Sequence, residues 1–355
     1  MPLRSWPLLV LLLGGAAILP SATLYNVTDI GTLGADTYGS GINNAGQITG
    51  VSGGYAFLYS NGVMTSIGTF TPTAINNARQ IAGYSGGPGS GSGYMAILYS
   101  NGVVTDLGLS NSIAYGINNA GQVVGLYEIA YNTLNAFLYS NGTITDLGTL
   151  GGSNYNSSSE ARGINDAGQI TGYSPVPRGS THAFLYSNGV MTDLNIFGGV
   201  YSQGNAINNA GQVTGWAFDS SNPIDNSRHA FLYSNGVATS LGGFNSQGTA
   251  INNAGQVVGT FFTTGGDQHA FLYSDGMMVD LNSLIDRSSG ISPGIVFDEA
   301  WGINDSGQIL AGAYFGGRRR TYLLTPVPEP GTWALLGAGL LALGALSRQQ
   351  WRKQL

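Results

Sequence analysis

The side chains able to do acid–base or metal chemistry in this sequence are few and periodically placed. His182, His229 and His269 are the only histidines, and each stands before an Ala-Phe pair in a separate copy of a repeated string. Residues held apart in separate repeats cannot converge on one metal ion with ligand bonds of about 2.0 Å. They are expected to bond locally, to loop carbonyls. The chain has no cysteine, which removes thiol nucleophiles, thiolate metal sites and disulfides from consideration. Asp29, Asp106, Asp146, Asp193 and Asp280 recur in a Thr-Asp-Leu-Gly-like string in which Ser66 and Ser240 stand in the other copies. Asp and Ser share the ability to accept backbone N–H groups at turns. The exchange therefore predicts capping, not catalysis or Ca²⁺ binding, which calls for 6–8 oxygens. No catalytic residue, metal site or cofactor is expected.

Two constellations remain that could meet a ligand. Arg318, Arg319 and Arg320 make a cationic spot on an otherwise acidic chain, suited to the carboxylates of an acidic polysaccharide. Tyr131, Trp216 and Trp301 stand in variable segments, where an aromatic face can stack on a sugar. The rival reading is a polysaccharide-active hydrolase or lyase using Glu128, Glu160, Asp298 or Glu299 as acid and base. It requires a pair about 5 to 9.5 Å apart in one cleft. A third reading is a passive structural envelope protein with no ligand.

Composition narrows the classes further. The 355 residues include 57 glycines, are 43% hydrophobic and 10% aromatic, and only 8% are charged, with a formal net charge of −6. Typical soluble domains carry about 25% charged residues and about 7% glycine. An ordinary helical enzyme is therefore not expected, and the apolar and aromatic content argues against disorder. With no basic run in the body, nucleic acid is excluded as a partner.

The elements that must position these residues are seven copies of one unit. A string close to INNAGQ begins at Ile42, Ile75, Ile117, Ile164, Ile207, Ile251 and Ile303, at spacings of 33 to 52 residues. A second string, close to AFLYSNG, begins at Ala56, Ala96, Ala136, Ala183, Ala230 and Ala270, with a worn copy at Thr321. Asn-Gly between two apolar runs marks a two-residue hairpin turn, and Asn-Ala-Gly marks a three-residue one. Two hairpins per repeat give four short strands in roughly the 40 to 45 residues of a propeller blade. The asparagines and glutamines of the INNAGQ string occur in every copy and are read as hairpin scaffolding. Arg79 replaces the turn glycine of the other six copies and predicts about 1 kcal/mol of local strain.

The phase of the repeat predicts a ring. The body begins with a fourth strand (Tyr25 to Gly31) and ends with a third (Arg320 to Thr325), so the two ends complement each other. Pairing them removes the free edges that an open solenoid must cap. The fold class expected is an all-β, seven-bladed propeller over residues 23–326, closed by its N- and C-terminal strands. The tight turns fall on one rim, and the longer, variable connections on the other.

The termini read as export signals. Residues 1–22 have Arg4, then an apolar run, then small residues, the order of a secretory signal peptide. Residues 327–355 contain Pro328, Glu329 and Pro330, an uncharged apolar run and then Arg348, Arg352 and Lys353. The helix expected at about 331–347 is a little short of the ~30 Å hydrocarbon core. Positive charge after it places the tail inside and the body outside. These residues resemble the tripartite tail of PEP-CTERM proteins. The resemblance implies an exosortase as partner, passage through the secretion machinery and transient anchoring in the inner membrane. It also implies a sorting signal at Pro328, Glu329 and Pro330, and release to the cell envelope or extracellular matrix. The repeats, through His182-Ala183-Phe184, His229-Ala230-Phe231 and His269-Ala270-Phe271, resemble the HAF-repeat family of bacterial extracellular proteins. That resemblance implies an extracellular repeat protein and supplies no catalytic residues; the function expected is that of a non-enzymatic surface or matrix protein. An exopolysaccharide or envelope partner, met by the variable loop rim, is the ligand class expected.

Overall fold

Each repeat folds as the strings predict, because β-branched and aromatic runs are interrupted by turn residues at fixed offsets. The computed structural model describes residues 23–87, 93–131, 133–151, 158–177, 179–219 and 227–327. The proposed signal peptide (1–22), Pro328, Glu329, Pro330 and the expected sorting helix (331–347) lie outside the described residues. Among the described residues no helix is long and apolar enough to cross a membrane.

The chain starts with β1 (Tyr25–Asp29). Blade one is β2 (Thr37–Ile42), β3 (Ile48–Ser52), β4 (Tyr55–Ser60) and β5 (Val63–Gly68). Blade two is β6 (Thr71–Ile75), β7 (Ile81–Gly86), β8 (Tyr94–Ser100) and β9 (Val103–Asp106). Blade three is β10 (Ile113–Ile117), β11 (Val123–Ala130), β12 (Thr133–Ser140) and β13 (Thr143–Gly148). Blade four is β14 (Glu160–Ile164), β15 (Ile170–Pro175), β16 (Thr181–Ser187) and β17 (Val190–Asp193). Blade five is β18 (Ser202–Ile207), β19 (Val213–Phe218), β20 (Arg228–Ser234) and β21 (Val237–Gly242). Blade six is β22 (Phe244–Ile251), β23 (Val257–Phe262), β24 (Gln268–Ser274) and β25 (Met277–Asp280). The last strands are β26 (Phe297–Ile303), β27 (Ile309–Phe315) and β28 (Arg318–Pro326).

Seven four-stranded antiparallel sheets result, and the seventh is ordered β1-β28-β27-β26. Tyr25 pairs with Pro326 and Asp29 with Tyr322, so the first strand completes the last blade. The protein is an all-β, seven-bladed propeller closed as its phase predicts. Arg318, Arg319 and Arg320 are not a loop: they open β28, behind the Gly316-Gly317 turn.

The AFLYS string explains how blades stack. Its Ala and Phe point to opposite faces of the sheet, and both are fully buried. Phe137 of blade three packs on Ala82 and Ala96 of blade two. Phe184 of blade four packs on Ala136 of blade three, and Phe231 of blade five on Ala183 of blade four. The small residue of one blade thus leaves the space that the next blade's ring fills. Each such ring contributes roughly 1.5–3 kcal/mol of burial. The same layer at the closure holds Ala270 of blade six against Tyr322, joined there by Tyr25 from β1.

Turn chemistry also follows the sequence. Asn61 and Gly62 have φ of 52° and 82°, the two positive values of a type I′ turn. Arg79 is held at φ 63° in the left-handed region where its counterparts are glycines. Asp29, Asp106, Asp146, Asp193 and Asp280 each accept the backbone N–H two residues on, at 2.7 to 2.9 Å, and Ser240 does so at 3.3 Å.

The histidines differ from expectation. His182 Nδ1 lies 2.8 Å from Asp193 Oδ2 and His269 Nδ1 2.7 Å from Asp280 Oδ2, while His229 Nε2 meets Ser227 Oγ at 3.2 Å. In blade three, Asn135 Nδ2 donates to both Asp146 oxygens. The pairing of third with fourth strand brings the residue before Ala-Phe to the capping carboxylate, a stronger acceptor than a loop carbonyl.

Candidate functional site

The first strands of all seven blades line an axial channel. Each breaks register against its second strand two residues before the isoleucine of the turn, and β22 and β26 carry a further break nearer their starts. The residues in the shared breaks are Ser40, Thr73, Tyr115, Arg162, Asn205, Thr249 and Trp301. A bulge leaves one residue outside the ladder and re-aims its side chain. Here all seven, with Gln203 and Gln247, line one cavity of about 410 Å³ on the loop side of the channel.

The seven divide by size. Thr73 Oγ1, Asn205 Nδ2 and Thr249 Oγ1 donate to Ala114 O, Gly248 O and Ala300 O at 2.8, 2.7 and 2.6 Å. Each acceptor is the carbonyl just before the next blade's bulge, so these three tie blade to blade, whereas Ser40 Oγ donates to Thr49 O of its own blade at 3.3 Å. Tyr115, Arg162 and Trp301 are the large ones.

Arg162 and Tyr115 form one wall. The guanidinium lies 5.3 Å from the Tyr115 ring centre and 5.9 Å from that of Tyr173. Its Nη2 is 2.7 Å from Glu160 Oε1, an ion pair held by charge without a linear hydrogen bond. With its amide oxygen turned toward the guanidinium, Gln203 accepts from Arg162 Nε at 2.9 Å. Glu160 is 4% exposed, and its Oε2 accepts from Tyr173 Oη at 2.8 Å. Burial, and then the Glu160 charge, raises the pKa of both Tyr115 and Tyr173, so both phenols stay neutral donors.

Trp301 forms another wall. Its Nε1 donates to Glu299 Oε2 at 3.0 Å, and the Arg319 guanidinium lies 5.2 Å from its ring. Arg319 is 3% exposed: Nη1 donates to Asp298 Oδ1 at 2.6 Å and Nη2 to Glu299 Oε2 at 2.6 Å. The indole crosses the bare backbone of Gly312, where an added Cβ would come within 2.4 Å of the ring.

Deeper in the channel the lining is uniform. The isoleucines that follow the bulges, from Ile42 to Ile303, form an apolar collar. Beyond them the INN asparagines close two rings of hydrogen bonds. Asn43 Nδ2 donates to Asn76 O, and the same bond passes from blade to blade until Asn304 Nδ2 donates to Asn43 O, at 2.9 to 3.1 Å throughout. The next residue repeats the pattern, from Asn44 N to Asn77 Oδ1 and round to Asp305 N on Asn44 Oδ1. Asn43 also folds its own hairpin, accepting from Ala45 N and Gln47 N. The scaffolding role expected of these residues is present, with a second role between blades.

Of the residues named from sequence, the structure brings Trp301 to the mouth. Tyr131 is at the tip of the β11–β12 hairpin and 90% exposed. Trp216 is in β19, half-buried under Arg228 and edge-on to Phe218. The three arginines do not share a face. Arg318 is exposed and bonds Gly34 O, Arg319 is buried, and Arg320 approaches Asp29 Oδ2 at 3.7 Å. Arg320 holds the position of the histidines, next to the fourth-strand aspartate of its own blade, so it belongs to the closure. The acids of the hydrolase or lyase reading are engaged: Glu160 by Arg162 and Tyr173, Asp298 and Glu299 by Arg319, Glu128 by Asn111.

Sequence reasoning missed Tyr115 and Arg162 as a pair, although a signal was present. In the seven copies the residue two before the isoleucine is Ser, Thr, Tyr, Arg, Asn, Thr or Trp, flanked by small residues or proline in a string that otherwise hardly changes.

Residues 326–349 match the PEP-CTERM protein-sorting motif, which implies export and recognition by an exosortase. No curated protein matches the chain. Among solved structures it is similar to the β-propeller domain of the Trilobed protease from Pyrococcus furiosus, with 11% identity over 81% of this chain and 93% of that one, and a TM-score of 0.56. That domain is described as having an open velcro topology, whereas β1 closes the ring here. The chain is also similar to the uncomplexed acylaminoacyl peptidase of Pyrococcus horikoshii, with 10% identity over 88% of this chain and 54% of that one, and a TM-score of 0.52. For oligogalacturonate lyase in complex with manganese the identity is 12%, the shares 88% and 96%, and the TM-score 0.50. At such identities the likeness is one of fold. The chain is a closed seven-bladed propeller followed by a PEP-CTERM sorting motif, the build of an exported surface protein.

Proposed function

We propose that this protein is a non-enzymatic binding module of the cell envelope or extracellular matrix, and that it holds a polysaccharide at the loop-side mouth of its axial channel. The observation that carries this is the convergence of seven bulge residues, the varied position of an otherwise uniform string, on one cavity. A scaffold repeated for packing alone has no need of variation there. An aromatic face at Trp301, a phenol at Tyr115 and amides at Gln203 and Gln247 are the groups that recognise a sugar's C–H face and hydroxyls. The non-enzymatic reading is supported by the acids near the mouth, each held by a cation or phenol. The repeat is read as HAF-type. Residues 1–22 act as the signal peptide, and the tail is a transient inner-membrane anchor, cut by an exosortase near Pro328, Glu329 and Pro330.

Titration calorimetry of the full-length chain in detergent, against neutral and acidic polysaccharides, tests the reading. Trp301→Ala is expected to weaken binding at least tenfold with the fold retained by circular dichroism, a loss of about 1.4 kcal/mol. Tyr131→Ala and Trp216→Ala measure what the wider loop rim adds. Binding unchanged by Trp301→Ala refutes the assignment of the site.

A further inference from the structure

Resting on that reading of the mouth, we infer that Glu160 sets its specificity: by masking Arg162 it commits the site to uncharged polysaccharide, and without its charge the same site would take acidic chains. Among the residues that line the mouth cavity, Arg162 is the only one that carries a charge. A free guanidinium there would seek a uronate carboxylate and grip it with two parallel bonds. Arg162 is not free. Its Nη2 is 2.7 Å from Glu160 Oε1, and its Nε donates at 2.9 Å to Gln203 in the amide orientation described above. The rings of Tyr115 and Tyr173 lie 5.3 and 5.9 Å from the guanidinium. The side chain of Arg162 is 34% exposed and that of Glu160 5%, so the cation stands at the cavity and its counter-charge behind it, out of a sugar's reach. Glu160 is thus a positioning residue that acts through Arg162. Its charge outweighs the guanidinium at both phenols, raising their pKa more than Arg162 lowers it.

Blade seven repeats the device. Glu299 holds there the place that Glu160 holds in blade four, two residues before the bulge residue, and none of the other five blades has an acid at that place. Glu299 Oε2 accepts from Arg319 Nη2 and from Trp301 Nε1, while Asp298 takes Arg319 Nη1. The acid occurs only in the two blades with a guanidinium at or beneath the bulge residue, where a cation has to be silenced. Around the mouth three carboxylates stand against two guanidinium groups. A uronate would give up its water there and find no unpaired cation. A neutral ring would find Trp301 on one side, the Tyr115–Arg162 stack on another, and Gln203 and Gln247 for its hydroxyls.

The test is a switch of class. Full-length protein in detergent is titrated with a neutral β-glucan, a galactan, a mannan and polygalacturonate, at low and high salt. The native chain is expected to bind a neutral polymer at least tenfold more tightly than polygalacturonate. A native preference for polygalacturonate overturns the uncharged class and leaves the proposed function standing; binding to none of the four overturns both. Glu160→Gln keeps the size of the side chain and an acceptor for Tyr173 Oη but removes the charge. It should raise affinity for polygalacturonate at least tenfold at low salt, and the gain should disappear at high salt. Glu160→Asp, which keeps the charge, should show no gain, and neither should the double variant Glu160→Gln with Arg162→Gln, which has no cation to unmask. No gain in a Glu160→Gln chain of native melting temperature overturns the assignment to Glu160, as does a gain that persists in the double variant. Gln247→Lys gives a measure that does not depend on the folding of Glu160→Gln. It places an unpaired cation on the same cavity and should bring the same salt-sensitive gain. A folded Gln247→Lys chain without that gain overturns the argument that a free cation is what the mouth lacks.

Discussion

Substituting Arg318, Arg319 and Arg320 by serine one at a time separates the structure from the sequence pattern, since three adjacent arginines have three different fates. Arg319 is buried and bonds two carboxylates, whose side chains are 24% and 39% exposed. Removing one partner of a fully buried pair costs about 3–5 kcal/mol. Here the two acids can rehydrate in part, which reduces that figure, while the lost stacking on Trp301 and Tyr314 adds to it. The net expectation for Arg319→Ser is a loss of about 2–4 kcal/mol. Arg320 sits 3.7 Å from Asp29 with both side chains partly exposed, so Arg320→Ser should cost at most about 1 kcal/mol. Arg318 is exposed and makes one long bond to Gly34 O, at 3.3 Å, so Arg318→Ser should cause no measurable change. Urea unfolding followed by tryptophan fluorescence, with thermal melts as a second readout, reads all three. A fall of roughly 5–10 °C is expected for Arg319→Ser alone. Equal losses at the three positions, or none at Arg319, would refute the account of a buried clamp beneath Trp301.

Three further outcomes follow from particular contacts. Burial pushes the Asp166 carboxyl up, but the N–H and Nδ2 of Asn119 and the Nδ2 of Asn209 bond its charged form and hold its pKa below the ordinary value. A carboxyl lowered on folding contributes stability above the unfolded pKa near 3.9, and that contribution is lost as pH falls through the folded value. Asp166 is exposed and its contacts are screened by solvent, so Asp166→Asn should cost at most about 1 kcal/mol at pH 7 and flatten the decline of stability below about pH 4, as measured by urea midpoints across pH. Arg79→Gly relieves a left-handed φ of 63° and should raise stability by up to about 1 kcal/mol; an unchanged urea midpoint would show that the site carries no strain. Deleting residues 24–31 removes β1 and leaves β28 without its partner. A closed ring should lose cooperativity throughout, and fraying confined to blade seven in hydrogen exchange would contradict closure.

The sequence alone determined the number of blades, the four strands in each, the two tight turns and the closure by the terminal strands. Those features rest on local chemistry repeated seven times: Asn-Gly and Asn-Ala-Gly turns, alternating apolar residues, and a phase that leaves complementary orphan strands. The capping aspartates were legible for the same reason, since the serines that replace them in two copies, Ser66 and Ser240, point to an acceptor and not to a charge. What only the tertiary structure decided is where side chains from distant repeats meet. Periodicity places Tyr115, Arg162 and Trp301 at one position of one string, yet a register break between first and second strands turns that position into the channel, and a break of one residue leaves no mark in a pattern of period two. Charge pairing was hidden as well. Arg319 and Arg320 are neighbours in sequence, but successive residues of a strand face opposite sides, so one is buried under Trp301 while the other reaches the closing strand.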